Sequence, residues 1–195
     1  MSLPSYDKSR RRKSFELLPK GAYVVKILSA KEEKNKSNNG RHLTIAFDIA
    51  EGEYKDFYRG QFDESDGEDK KWPRDGVYYL TVPDDGCQDY VMTNWSSFFA
   101  DLEDSNNGFV FDGDLKSLKG KLIGGKFHNE QSEWSGNVYD HTRLRWTCVA
   151  DDVRNGKAGK MPNDKLVSRP AGGGLDGLDG ELFDIPEDSD DGIPF

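Results

Sequence analysis

Cys87-Gln88-Asp89-Tyr90-Val91-Met92-Thr93-Asn94-Trp95-Ser96-Ser97-Phe98-Phe99-Ala100-Asp101-Leu102-Glu103-Asp104 is where the chain changes its period. Val91, Trp95, Phe98, Phe99 and Leu102 fall at i, i+4, i+7, i+8 and i+11, one stripe of an amphipathic helix, and Asn107-Gly108 stops it. A Met and aromatic stripe at that spacing packs a core rather than holding a cofactor, so Trp95 is expected inside. The flanking segments read with a period of two. Val77 to Val82 is a short strand ended by Pro83 and an Asp-Asp-Gly turn. Gly120 to Phe127 is another, with Gly124-Gly125 in its middle. Paired glycines in a strand signal a bulge, a bend, or the close approach of another backbone or a ligand.

Farther out the same alternation recurs. Tyr23, Val25 and Ile27 mark a strand over residues 21–30, and Leu43, Ile45, Phe47 and Ile49 mark a second. Between them, Lys31 to Gly40 reads as a Lys- and Asn-rich loop closing on Asn39-Gly40, a strong hairpin signal. Glu51 to Gly76 is an irregular insertion. The helical spacing of Tyr54, Phe57, Tyr58 and Phe62 gives it a short helix, and an acidic stretch then precedes Trp72-Pro73. Asn129 to Asn137 reads as a polar loop carrying a lone Trp134. In a fifth strand, Val138 to Val149, Leu144, Trp146 and Cys148 alternate against Arg143, Arg145 and Thr147. That places Trp146 in the core and both guanidiniums on the outer surface.

The resulting order is β-β-β-α-β-β, an all-β fold with one helix. It is the order of an OB-fold, a five-stranded Greek-key barrel that binds oligonucleotides on its strand 2–3 face and its 1–2 and 4–5 loops. Another small barrel or an open sheet also accommodates five alternating strands; the position of the helix favours the OB-fold. The expected organisation is a mobile basic arm over 1–14, the barrel over 15–160, and a flexible Gly-rich linker with a disordered acidic tail over 161–195.

Composition agrees with a single domain plus tails. Of 195 residues, 34% are hydrophobic and 12% aromatic, enough for short strands with aromatic packing. No stretch approaches the ~20 apolar residues of a membrane span, and no signal peptide opens the chain. A soluble cytoplasmic protein is expected, with no membrane partner. Cys87 and Cys148 read as free thiols in a reducing compartment. His42, His128 and His141 share no ligand spacing, so neither a metal site nor a cofactor is expected.

The formal charge of −9 belongs to the tail. Residues 170–195 hold eight acids and no Lys or Arg, which leaves 28 acids against 27 bases in the body. A nearly neutral body still accommodates a basic groove on one face. Single-stranded nucleic acid needs cations for phosphates and exposed rings for bases. The 1–2 loop offers Lys31, Lys34, Lys36 and Arg41; strand four offers Lys121 and Lys126; strand five offers Arg143 and Arg145. Trp134, with Tyr139 just beyond it, is a stacking candidate, because burial would need another part of the fold to cover it. Trp72 either stacks on a base or plugs the barrel.

The chain closes on Asp188-Ser189-Asp190-Asp191-Gly192-Ile193-Pro194-Phe195. This resembles the C-terminal tip of bacterial single-stranded-DNA-binding proteins, an Asp run followed by Ile-Pro-Phe; Gly192 stands where that family usually has another Asp. The body is more similar to a family of bacteriophage OB-fold proteins that bind single-stranded DNA. The similar stretches are Pro19 to Tyr23, Phe47 to Tyr54, Leu118 to Gly124, Arg143 to Trp146 and Val153 to Lys157. The resemblance implies a non-catalytic protein that coats single strands in replication, recombination and repair. It also implies that Asp188, Asp190, Asp191, Ile193, Pro194 and Phe195 dock on a polymerase, helicase, primase, recombinase or nuclease. An apolar pocket beside a cation would take the ring and carboxylate together. A homodimer through a strand edge stays open. The alternatives are a protein-interaction OB-fold without DNA binding, and a metal-dependent nuclease, for which no motif or paired base is legible.

Overall fold

The computed structural model describes residues 15–35, 40–65 and 70–167. Lys36, the arm over 1–14 and the tail from 168 on lie outside them. The strands are β1 Ala22–Lys34, β2 Arg41–Ile49, β3 Val77–Val82, β4 Leu122–Trp134 and β5 Asn137–Cys148. They form one five-stranded sheet in the order β3-β2-β1-β4-β5, with every neighbouring pair antiparallel. Helix α1, Phe57–Glu64, lies between β2 and β3, α2, Asp89–Ser105, between β3 and β4, and α3, Ala150–Arg154, follows β5.

The core follows from the period-two faces. Leu43, Ile45, Phe47 and Ile49 of β2 are all buried and meet Val25, Ile27, Leu80, Ile123, Phe127 and Leu144. Helix α2 sends Phe98, Phe99 and Leu102 into the same cluster, with Trp95 packed edge-on against Phe99 at 4.9 Å. Each such side chain contributes about 1.5–3 kcal/mol by leaving water. The insertion after β2 is tied down by Asp48, whose buried carboxylate accepts the backbone N–H groups of Ile49, Tyr58 and Arg59 at 2.9–3.0 Å. Burial raises the Asp48 pKa, and those three donors oppose the rise. Tyr58 is thereby set edge-on to Phe47 at 5.7 Å.

The glycine pair is a close approach. A Cβ on Gly124 would lie 2.7 Å from Cys148 Sγ, and one on Gly125 would lie 2.7 Å from a Leu144 methyl. Side chains at these two positions would separate β5 from β4.

Two segments read as loops are strands. β1 continues to Lys34 against Arg41, and β4 continues to Trp134 against Asn137. A two-residue turn, Ser135 and Gly136 with φ of 49° and 76°, joins β4 to β5, the positive-φ pairing that suits hairpin twist. Residues 31–34 and 129–134 carry no apolar alternation, yet each segment finds its ladder partner on the strand opposite.

A bulge overturns a second expectation. Lys126 pairs with Trp146 and Phe127 with Leu144, which leaves Arg145 as the extra residue. The alternation breaks there: Leu144 stays buried while Trp146 emerges 42% exposed. A one-residue slip sends the following side chains to the other face, so Trp146 is not core.

The segment after α3 also differs from a free linker. Lys165 N–H donates to the Asn129 carbonyl at 2.9 Å, Gln131 N–H donates to the Lys165 carbonyl at 2.8 Å, and His128 Nδ1 meets the Asn163 carbonyl at 2.8 Å. The docked chain therefore runs past residue 160 to Lys165.

Candidate nucleic-acid interface

β3 presents Leu80 to the core and Tyr79 to solvent, because neighbours on a strand face opposite ways. Register places Tyr79 beside Thr44, and Thr44 beside Lys31, a row across three strands. The Tyr79 ring is half exposed and meets His42 at 5.6 Å between centroids.

A groove of about 370 Å³ opens between β3 and β5, the two end strands of the sheet, which share no ladder among the described residues. Tyr79 lines it from β3, Tyr90 from α2, His128 from β4, Arg143 and Arg145 from β5, and Arg74 from the turn before β3. Below the groove, Asp75 meets His141 Nδ1 at 3.1 Å and Arg143 Nε at 3.4 Å. The arginine contact is at ion-pair distance but outside hydrogen-bond geometry. Glu130 lies 3.8 Å from the same guanidinium. Arg143 is thus pinned and largely covered, not on the outer surface as expected. Arg145, on the bulge, is exposed and has no ion-pair partner among the described residues.

The β4–β5 arm extends past the groove. Trp134 and Tyr139 stand near its tip, 52% and 45% exposed. Ser132 pairs with Tyr139 and lies two residues before Trp134, so both rings share one face of the ladder.

The β1–β2 arm is different. Lys31 is bound to Glu33 at 2.7 Å, and Arg41 to Glu32 at 2.8 Å. Bonds from Lys31 and Thr44 hold the Glu33 carboxyl below its usual pKa, so it stays an anion beside them. Lys34 is exposed at the strand end. Lys121 is held over the Phe109 ring at 4.3 Å, away from the groove lining. Trp72 donates its indole N–H to the Gly76 carbonyl at 3.1 Å and packs on Phe62, with Arg59 over its face at 5.8 Å. Of its two readings, this is the packed one.

The structure thus brings together Arg143, Arg145, Trp134 and Tyr139 on one hairpin, and separates them from Lys121 and Trp72. Tyr79, Tyr90 and Arg74 were missed. For Tyr79 a signal existed, since the alternation argument applied to strand five puts it opposite Leu80 on strand three. No protein-family model matches the chain, and no curated protein matches it.

Proposed function

We propose that the protein is a non-catalytic single-stranded-DNA-binding protein built on an OB-fold. The observation that carries this is one set of side chains: exposed Tyr79, Trp134 and Tyr139 with exposed Arg145, along a groove and the arm leading out of it. Ring faces take bases without regard to sequence, and guanidiniums take phosphates. The sheet order supports the Greek-key reading. β1 lies between β2 and β4, and the end strands β3 and β5 both line the same groove, as a closing barrel requires.

In this reading the protein works in the cytoplasm of a bacterial host. The acidic segment ending in Ile193-Pro194-Phe195 recruits replication and recombination proteins, on the strength of its resemblance to bacterial tips.

A gel shift with poly-dT, run beside a Mg²⁺-dependent cleavage assay, tests it. A shifted and uncut strand is expected. No shift favours a protein-interaction domain, and cleavage overturns the non-catalytic assignment.

A further inference from the structure

A second recess of about 210 Å³ lies next to the groove, lined by Tyr78, Asn94, Ser97, Lys126, Trp146 and Thr147. We propose that it is a nucleotide subsite, with the Trp146 ring taking a base and Lys126 the adjoining phosphate. It rests on the single-strand reading and extends that strand's path to a place the sequence assigned to the core.

Three observations support it. The first is the bulge. Its extra residue, Arg145, turns a large indole to solvent that the alternation would have buried. Bulges commonly re-aim a side chain in this way. The second is chemistry. Lys126 is the ladder partner of Trp146, so a cation and an exposed ring stand side by side. Asn94 and Ser97 add amide and hydroxyl donors from exposed positions on α2. The nearby acid, Asp101, accepts the Thr147 hydroxyl at 2.6 Å; burial raises its pKa, and the Thr147 bond and the charge of Lys126 oppose the rise. The third is continuity. Tyr78 and Asn94 line both recesses, and Arg145 of the groove precedes Trp146 in the chain.

From Tyr139 to Trp146 the strand rises about 23 Å at roughly 3.3 Å per residue. A strand reaching from the arm to this recess therefore spans several nucleotides.

The test compares oligo-dT of about 4 and about 16 nucleotides, the ends of the range such folds occlude. The short oligomer is expected to seat on the two arm rings, Trp134 and Tyr139, and only the long one extends through the groove to Trp146. Trp146→Ala is expected to weaken the long oligomer about tenfold and leave the short one unchanged. Trp146→Phe, which keeps a ring, restores most of the loss and controls for folding. Lys126→Gln lowers the salt slope by about 0.7 on the long oligomer alone. Equal affinity of Trp146→Ala and parent for the long oligomer overturns the subsite while leaving the groove reading intact. Equal losses at both lengths also overturn it, by placing Trp146 in the main groove. A parent that binds neither oligomer sinks the single-strand reading itself.

Discussion

The two long hairpins have the same polar look in sequence and opposite character in three dimensions. On the β1–β2 arm, Lys31 and Arg41 are answered by Glu33 and Glu32 of the same arm. On the β4–β5 arm, Trp134 and Tyr139 are bare and Arg145 is unanswered among the described residues. A count of cations along the chain gives four to the first arm, Lys31, Lys34, Lys36 and Arg41, and two to the second, Arg143 and Arg145. Pairing favours the second, because a lysine already bound to a carboxylate offers less to a phosphate. The cross-strand register decides it: Glu33 stands opposite His42, next to the Lys31–Thr44 pair.

Substitutions on the two arms separate them. The largest effect is expected from Trp134→Ala, which removes one stacking ring and weakens oligo-dT binding by about 1–3 kcal/mol. Tyr139→Ala should act in the same range, and a fluorescence or anisotropy titration measures both. A Trp134→Ala protein that folds normally and binds like the parent breaks the comparison on its stronger side.

Next comes Arg145→Ala, expected to cost about threefold to tenfold and to lower the salt slope by about 0.7, the share of one phosphate on a single strand. Lys31→Ala on the other arm should move neither quantity measurably. If Lys31→Ala has the larger slope change, the pairing argument fails.

Smaller still is the gain from freeing the first arm. Glu32→Gln with Glu33→Gln releases Arg41 and Lys31, and should tighten binding a few-fold at low salt, fading as screening shortens to about 10 Å near 0.1 M. Exposed ion pairs are worth about 0–1 kcal/mol, so fold stability should hardly change. Thermal melting beside the titration checks both halves.

Least dependent on DNA is a thiol measurement. Burial raises the Cys148 pKa to about 11, with Asp101 and Asp152 adding to the rise and Lys126 opposing it. Cys148 should stay unalkylated in the native protein near pH 8, while the partly exposed Cys87 reacts. Rapid modification of Cys148 would mean that β4 does not close over its sulfur at Gly124.

The fold was legible where one face of an element is buried. The alternation of β2 and the stripe of α2 identify their inward residues correctly, because burial selects apolar side chains at the period of the element. Of the arms, the outer parts of β1 and β4 were not legible, since a strand with two wet faces has no apolar period to read. Trp146 was misplaced for another reason: the bulge at Arg145 depends on how β5 meets β4, and one strand's sequence does not record its partner's spacing. The acidic tail was read from its resemblance to bacterial tips, and it lies outside the described residues.

The central claim is that the rings of the second arm and the groove, with Arg145, hold single-stranded DNA with little regard to base. An oligo-dT titration of intrinsic Trp fluorescence across a series of salt concentrations tests it most directly. With about four to six phosphates neutralised, log K should fall against log salt with a slope of roughly −3 to −4, with Trp emission changing on binding. A flat salt response, or no change in emission at saturating oligo-dT, would contradict it.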